Sequence, residues 1–260
     1  MPLERSYRKM NNLFSLNGKT ALVTGGNRGL GRDMALALAS TGANVVIVSR
    51  SETPEVVDEI EAFGVKGVSI AFDIAQISKH AELVQFVKEQ VGHVDILLNN
   101  AGIQRRHPAA EFPEHDWNEV MNVNANAVFS LCKHFGREML KVGNGKIINI
   151  ASLLSFQGGL TVSAYAASKG AVMQFTKSLA NEWASKGVNV NCIAPGYMAT
   201  DMNEMLMADE TRSRQILERI PAGRWGLGKD LHGAAIFLAS EASDYIHGFT
   251  LAVDGGWLGR

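Results

Sequence analysis

The 260-residue sequence holds only two cysteines, Cys132 and Cys192, both inside apolar stretches (VFSLCKHF and VNVNCIAP). Two such residues cannot build a disulfide framework or a cysteine zinc cluster, and they fit a reducing, cytoplasmic setting. Neither sign of charge dominates: 25 Lys and Arg against 26 Asp and Glu leave a formal net charge of −1. Without a field of one sign, neither nucleic acid nor an anionic membrane is an expected partner, and a small-molecule substrate is. No run of about 18 apolar residues occurs, so no membrane span is predicted. The opening MPLERSYRKMNNLFSL lacks the apolar core and small-residue cleavage site of a secretory signal, and residues 1–15 read as an N-terminal extension. The histidines at His80, His93, His107, His115, His134, His232 and His247 form no i,i+4 pair and no cluster with carboxylates. No metal site is therefore expected, and they read as ordinary surface or cap residues.

What is present is enough for one sizeable core: 46% of residues are hydrophobic and 20% charged. Short β-branched runs (TALVTG, ANVVIVS, GVSIAFD, DILLNN, GKIINIAS, GVNVNCIAP and FTLAVDG) alternate with amphipathic stretches. Helix-type spacing covers Leu30–Ser40, Glu55–Phe63, Lys79–Val91, Asp116–Leu140, Tyr165–Ser185 and Asp230–Ala239. The strand runs are continuously apolar, which signals burial on both faces. The expectation is a doubly wound α/β fold, Rossmann-like, with a seven-stranded parallel sheet in a single domain over residues 16–260. One region breaks the rhythm. Between Pro195 and Leu227 there are two helical patterns, Asp201–Ala208 and Glu210–Ile220, and no strand. An insertion after a strand's carboxyl end covers the ligand edge of such a sheet, so residues 196–227 are expected to form a substrate lid.

The first strand runs into Thr24-Gly25-Gly26-Asn27-Arg28-Gly29-Leu30-Gly31 and then a helix. A turn with so few Cβ atoms lets backbone approach a pyrophosphate at a helix N-terminus, and its place in the first βαβ unit supports dinucleotide binding. The end of the second strand chooses the cofactor. An acidic residue there accepts hydrogen bonds from the ribose hydroxyls and repels a 2′-phosphate, but this sequence has Ser49-Arg50. With Arg28, two guanidinium groups can meet a 2′-phosphate, so NADP is preferred and NAD possible. A solvated Arg50 and a locally paired Arg28 are the alternative. Asp73, followed by Ile74, ends the third strand and is placed either to meet the adenine edge or to cap the next turn.

Tyr165-Ala166-Ala167-Ser168-Lys169 opens a helix, and the i,i+4 spacing sets Lys169 on the face of Tyr165. A phenol is a poor base at neutral pH; a neighbouring ammonium and a positive nicotinamide favour phenolate and make it a workable proton shuttle. Ser152, at the end of the fifth strand, can hold the reacting oxygen, and Asn124 completes the set. Thr24-Gly25 with Gly29 and Gly31, Asn99-Asn100-Ala101-Gly102, Ser152, Tyr165 with Lys169, and Pro195-Gly196 together resemble the short-chain dehydrogenase/reductase family over residues 16–260. The resemblance implies NAD(P)-dependent oxidoreduction at a CH–OH carbon. Tyr165 would exchange the substrate proton, Lys169 would orient the nicotinamide ribose and lower the tyrosine pKa, Ser152 would position substrate, and Asn124 would hold a relay water. It further implies that Asn100, Ala101 and Gly102 lie along the cofactor and that Ile193, Pro195, Gly196 and Thr200 contact its nicotinamide end. The apolar last strand and the Val253–Trp257 tail resemble the family's subunit contact, implying a homotetramer.

The segments KIINIASLLSFQGG, NEWA, VNVNCIAPGYMAT, RIPAGRWG and FLASEASDY…GFTLAVDGGWL are similar to those of sugar-acid dehydrogenases acting on 2-dehydro-3-deoxy-D-gluconate or 2-deoxy-D-gluconate, and of 4-deoxy-5-hexoseulose uronate reductases. A sugar acid needs a cation for its carboxylate and polar groups for its hydroxyls. Arg105 and Arg106 follow the fourth strand and are the cationic candidates; Gln157 and Tyr197, on neighbouring loops, are the polar ones. A surface basic pair that binds nothing is the alternative, and Arg224 reads as a structural partner. Trp183 and Trp257 read as core or interface packing. Two other functions stay open on sequence alone: a broader carbonyl or 3-oxoacyl reductase with the same tetrad, and a cofactor-sensing protein without chemistry.

Overall fold

The structure, a computed structural model, describes residues 13–260. Most of the N-terminal extension expected at residues 1–15 therefore lies outside the described residues. Seven parallel strands form one sheet in the order β3-β2-β1-β4-β5-β6-β7: β1 Thr20–Thr24, β2 Asn44–Ser49, β3 Gly67–Ala71, β4 Ile96–Asn99, β5 Gly145–Ile150, β6 Val188–Pro195 and β7 Thr250–Val253. The chain runs outward from β1 to β3 and then returns to β4 on the other side of β1. That reversal opens a crevice at the carboxyl ends of β1 and β4, where ligands of open α/β sheets bind.

Helices cover both faces, and the alternation of side chains along each strand divides the core accordingly. Leu22, Val46, Leu97, Ile147 and Val190 face one layer. It consists of α3 (His80–Val91), α5 (Ala127–Val142) and α6 (Ser163–Trp183). Ala21, Val23, Val45, Ile96, Leu98 and Ile148 face the other, formed by α1 (Gly29–Ser40), α2 (Pro54–Glu61) and α9 (His232–Ala239). Trp183 belongs to the first layer, as a core residue. Burial on both faces is why these strands read as unbroken apolar runs.

The helix expected over Asp116–Leu140 begins earlier and is not continuous. It comprises α4 (Glu114–Met121), a π-helical turn at Asn122–Asn126, and α5. The widened turn closes through the Ala127 N–H to the Asn122 carbonyl and carries Asn124. Such turns alter the direction of side chains in mid-helix and recur at functional sites. The insertion after β6 holds a 3-10 turn (Asp201–Asn203), α7 (Glu204–Ala208) and α8 (Glu210–Arg219). An isolated parallel bridge pairs Met198 with Gly226, which brings the two ends of the insertion together.

His80 corrects the expectation of surface histidines. It is fully buried at the start of α3, with Nε2 against the Ile74 carbonyl oxygen (2.8 Å) and Nδ1 against Ser130 Oγ (2.9 Å). Burial holds its pKa below the ordinary value, the Ile74 carbonyl opposes that, and nearby His134 adds to it. The neutral ring thus ties the loop after β3 to α5. As pH falls below about 6.5, the unfolded chain takes up a proton that the folded ring resists, so the fold loses stability. Urea midpoints measured between pH 7.5 and 5.5 are expected to fall for the wild type and to fall less steeply for His80→Asn.

Candidate active site

At the carboxyl edge of the sheet, the glycine loop joins β1 to α1. Gly25 and Gly29 have φ of 65° and 51°, the left-handed region that glycine enters freely. At Gly31 a Cβ would collide with the Gly25 carbonyl oxygen and the side-chain amide of Asn100. The loop therefore lies flat and presents the N-terminus of α1, whose first turn carries no acidic side chain. Unsatisfied N–H groups and the helix dipole there suit a pyrophosphate. Asn27 and Leu30 flank the turn, half-buried. These residues fit a dinucleotide.

Support for the loop comes from β4 and from a residue that sequence analysis noted only as a motif letter. The hydroxyl of buried Thr24 accepts from the N–H groups of Asn100 and Ala101, each at 3.1 Å, and Asn100 Nδ2 donates to the carbonyls of Thr24 and Gly25, each at 3.2 Å. Asn100 and Ala101 thus serve to clamp the glycine loop onto β4. At the end of β2, Ser49 donates its hydroxyl to the Ser51 carbonyl (2.6 Å), and Arg50 beside it is exposed. Arg28 is exposed too and pairs with Asp201 of the insertion at 3.2 Å. Asp73 accepts from the Ala75 N–H at 2.9 Å, so of its two expected places the turn-capping one is seen.

Ser152 leaves β5 in an extended conformation (φ −164°) and caps a 3-10 turn, accepting from the Leu154 N–H at 3.2 Å. Its hydroxyl stands close enough to the Tyr165 phenol to act on its titration. On α6, Lys169 is buried and donates Nζ to the Ile150 carbonyl at 2.6 Å, with the Tyr165 ring centroid 5.7 Å away. Burial pushes the Lys169 pKa down to about 8. Tyr165 is subject to two opposed influences. Burial holds its pKa above the ordinary phenol value, while the Ser152 hydroxyl and then the Arg106 charge pull it down. In this arrangement the Lys169 ammonium donates to a backbone carbonyl beside the Tyr165 ring, and the Arg106 charge also favours the phenolate.

Asn124 is fully buried in the π turn. Its Oδ1 accepts from the Ile103 N–H (2.8 Å), and its Nδ2 donates to the Ile103 carbonyl (2.8 Å) and to Ser168 Oγ (3.2 Å). Both ends of the amide are occupied by protein atoms, so the side chain locks the loop after β4 against α6. Gly102 permits this closeness: a Cβ there would stand 3.2 Å from Asn124 Oδ1 and 3.8 Å from Lys169 Nζ. Ser155, absent from the sequence-based site, takes the Ser152 N–H at 3.3 Å and donates to the Lys169 carbonyl at 2.7 Å. The spacing of Ser152 and Ser155 is that of a capping box, the one signal that could have found it.

The substrate candidates separate. Arg105 is drawn to α4, with Nη2 2.8 Å from Glu119 and Nε 3.9 Å from Asp116. Arg106 is exposed, its guanidinium donating to Gln104 Oε1 at 3.1 Å. Crowding pulls its pKa down, and Tyr197, Arg212 and Tyr165 all lie close enough to act on its charge. Tyr197 stacks at 4.7 Å on buried Trp257, which is core in this chain, and meets Trp225 edge-on at 5.7 Å. Gln157 accepts from Arg219 of α8 at 3.5 Å. Ile193 and Pro195 are buried in β6, Gly196 donates to the Val253 carbonyl at 2.9 Å, and Thr200 begins the 3-10 turn of the insertion. Arg224 forms two hydrogen bonds to Asp230, at 2.6 and 2.9 Å, the structural pairing expected of it.

Residues 19–211 match the family model described as short chain dehydrogenase. The chain belongs to the short-chain dehydrogenase family. It is 54% identical over 250 residues to the 2-dehydro-3-deoxy-D-gluconate 5-dehydrogenase of Dickeya dadantii, covering 96% of this chain and 99% of that one. A provisionally named 2-deoxy-D-gluconate 3-dehydrogenase from Agrobacterium tumefaciens, solved with NADP bound, superposes with a TM-score of 0.91 at 51% identity, covering 96% and 100% of the two chains. A gluconate 5-dehydrogenase from Burkholderia cenocepacia, in complex with NADP and tartrate, gives 0.93 at 42% identity, covering 96% and 98%. As a short-chain dehydrogenase, the protein is an NAD(P)-dependent oxidoreductase acting on CH–OH groups.

Proposed function

We propose that this short-chain dehydrogenase interconverts a secondary hydroxyl and a ketone on a small sugar acid of the 2-dehydro-3-deoxy-gluconate, 2-deoxygluconate or 4-deoxy-5-hexoseulose uronate type, with NADP as preferred cofactor. The observation that carries this reading is Arg106, an exposed cation on the loop after β4, left outside the carboxylate pairs that hold Arg105 and near enough to Tyr165 for its charge to act on the phenol. A carboxylate paired there leaves the sugar chain next to the proton-transfer group. The relatives support the substrate class, since those named above are sugar-acid dehydrogenases and one binds tartrate, a hydroxy acid.

Nicotinamide, when bound, supplies or accepts the hydride. The chain's own residues do the rest. Ser152 holds the reacting oxygen beside Tyr165, and Tyr165 Oη gives a proton to it in reduction or takes one in oxidation. Lys169 is placed to turn from the Ile150 carbonyl toward the ribose, and Asn124 fixes the inner wall around it. Residues 196–227 act as the lid that excludes water. Arg28 and Arg50, both exposed at the adenosine end, recognise a 2′-phosphate, with Ser49 leaving room for it. Ser49→Asp is expected to lower kcat/KM for NADPH by at least about tenfold while NADH is retained, since a carboxylate repels the phosphate; unchanged selectivity would end this assignment.

The reading is tested by steady-state assays of the purified protein against the three sugar-acid types and against neutral ketones, with NADPH and NADH in parallel. Equal use of neutral ketones and sugar acids would favour the broader reductase instead. We assign the protein to the cytoplasm and to a homotetramer. Buried Cys132 and Cys192, with thiols pushed up to about 12 and about 11, suit a reducing compartment. The half-exposed edge strand β7, preceded by Phe249 at 57% exposure, is an apolar edge of the kind subunits cover. Sedimentation equilibrium reads the mass directly.

A further inference from the structure

Arg105, Arg106 and His107 are consecutive, yet their side chains do different things. Arg105 reaches Glu119 at 2.8 Å and Asp116 at 3.9 Å, and His107 Nε2 meets the other oxygen of Asp116 at 2.6 Å. Residues i and i+2 of this stretch are therefore held against α4 by the same carboxylate. With both neighbours turned to Asp116, the residue between them is left outside that cluster. That residue is Arg106, whose Nη2 donates to Gln104 Oε1 at 3.1 Å and whose guanidinium lies near enough to Tyr197, Arg212 and Tyr165 for their charges to act on it. The anchor is firm. Asp116 also takes His115 Nδ1 at 3.2 Å, and the His107 and His115 hydrogen bonds together hold its carboxyl below the usual range. His107 packs edge-on against Phe112 at 5.1 Å. The His107 N–H donates to the Thr161 carbonyl at 3.0 Å. Thr161, at φ 64°, is the one non-glycine residue with positive φ among the described residues, and it lies on the loop that follows Ser152 and Gln157. Residues in such strained conformations persist where surrounding structure over-determines them.

We infer that Asp116, gripping Arg105 and His107 on either side, is the positioning residue that aims Arg106 at the substrate and so sets the preference for a carboxylate-bearing substrate. The inference rests on the sugar-acid reading above. It adds that the selectivity of the site is set from α4, by a residue outside the cleft, and that Arg105 contributes by pulling away from the substrate.

The test compares Asp116→Asn, Asp116→Glu and Arg106→Ala with the wild type, using gluconate-type sugar acids and a neutral ketone with saturating NADPH or NADP. Asp116→Asn is expected to raise KM for the sugar acid about tenfold, with kcat and the ketone KM within about twofold, and Asp116→Glu to restore part of the loss. Glu119→Gln, which loosens Arg105 alone, should give a smaller shift in the same direction and serves if Asp116→Asn does not fold. If Arg106→Ala leaves sugar-acid KM unchanged, the sugar-acid reading itself fails. If Arg106→Ala raises it but Asp116→Asn and Glu119→Gln do not, or if both substrates suffer equally, the positioning role is overturned and the reading stands.

Discussion

Replacing Tyr165 with phenylalanine is expected to lower kcat by about 10³-fold while leaving cofactor binding intact. The size follows from general acid–base catalysis, which contributes about 10² to 10⁴, and from the position of the phenol, close to the Ser152 hydroxyl and within the field of Arg106. Phenylalanine preserves the ring that lies beneath Lys169 Nζ, so the fold around α6 is undisturbed. Only the proton donor is gone. Turnover of a sugar acid and fluorescence titration with NADPH separate the two effects; unchanged turnover would remove Tyr165 from the mechanism. The pH dependence has a definite sign. Burial holds the phenol high, so oxidation, which needs the proton acceptor, should rise with pH through the titration of Tyr165, and reduction should fall across the same range. In the phenylalanine variant this limb is lost.

The second large effect is expected at the arginine pair, and it is asymmetric. Arg106→Ala should reduce kcat/KM for a sugar acid by about 10²-fold, consistent with about 2–5 kcal/mol for truncating one partner of a hydrogen-bonded charge pair, while a neutral ketone loses little. Arg105→Ala should cost much less with either substrate, because its guanidinium is already held by Glu119 and Asp116. Equal losses in the two variants would contradict the separation seen in the structure. Steady-state kinetics on both variants with both substrates decides it.

That asymmetry shows what was legible in the sequence and what was not. Continuous apolar runs gave all seven strands, because burial on both faces leaves a strong one-dimensional signal. The glycine loop and the Tyr165–Lys169 spacing were readable because each lies within one segment and obeys a fixed period. The division of labour between Arg105 and Arg106 was not readable. It depends on carboxylates of α4, which the fold brings against the loop after β4. The same holds for the partners of Asn124, a residue named from the sequence but one whose π turn leaves no mark in the hydrophobic pattern, and for His80, an isolated histidine whose partners Ile74 and Ser130 come from different elements. Lys169 was placed correctly beside Tyr165, but the Ile150 carbonyl that takes its ammonium belongs to β5. Local chemistry was visible; partners supplied by other elements were not.

The bridge between Met198 and Gly226 bears on how the insertion tolerates changes of length. Because the two ends of the insertion meet, loop closure is already satisfied at its base, and the length of what lies between carries only a slow entropic cost. Residues 199–225 are thereby an excursion closed at its base, fixed to the turn after β7 through Ile216, Ile220 and Trp257. Changes in length between those anchors are expected to leave Ser152, Tyr165 and Lys169 where they are, since none of the three lies within the excursion.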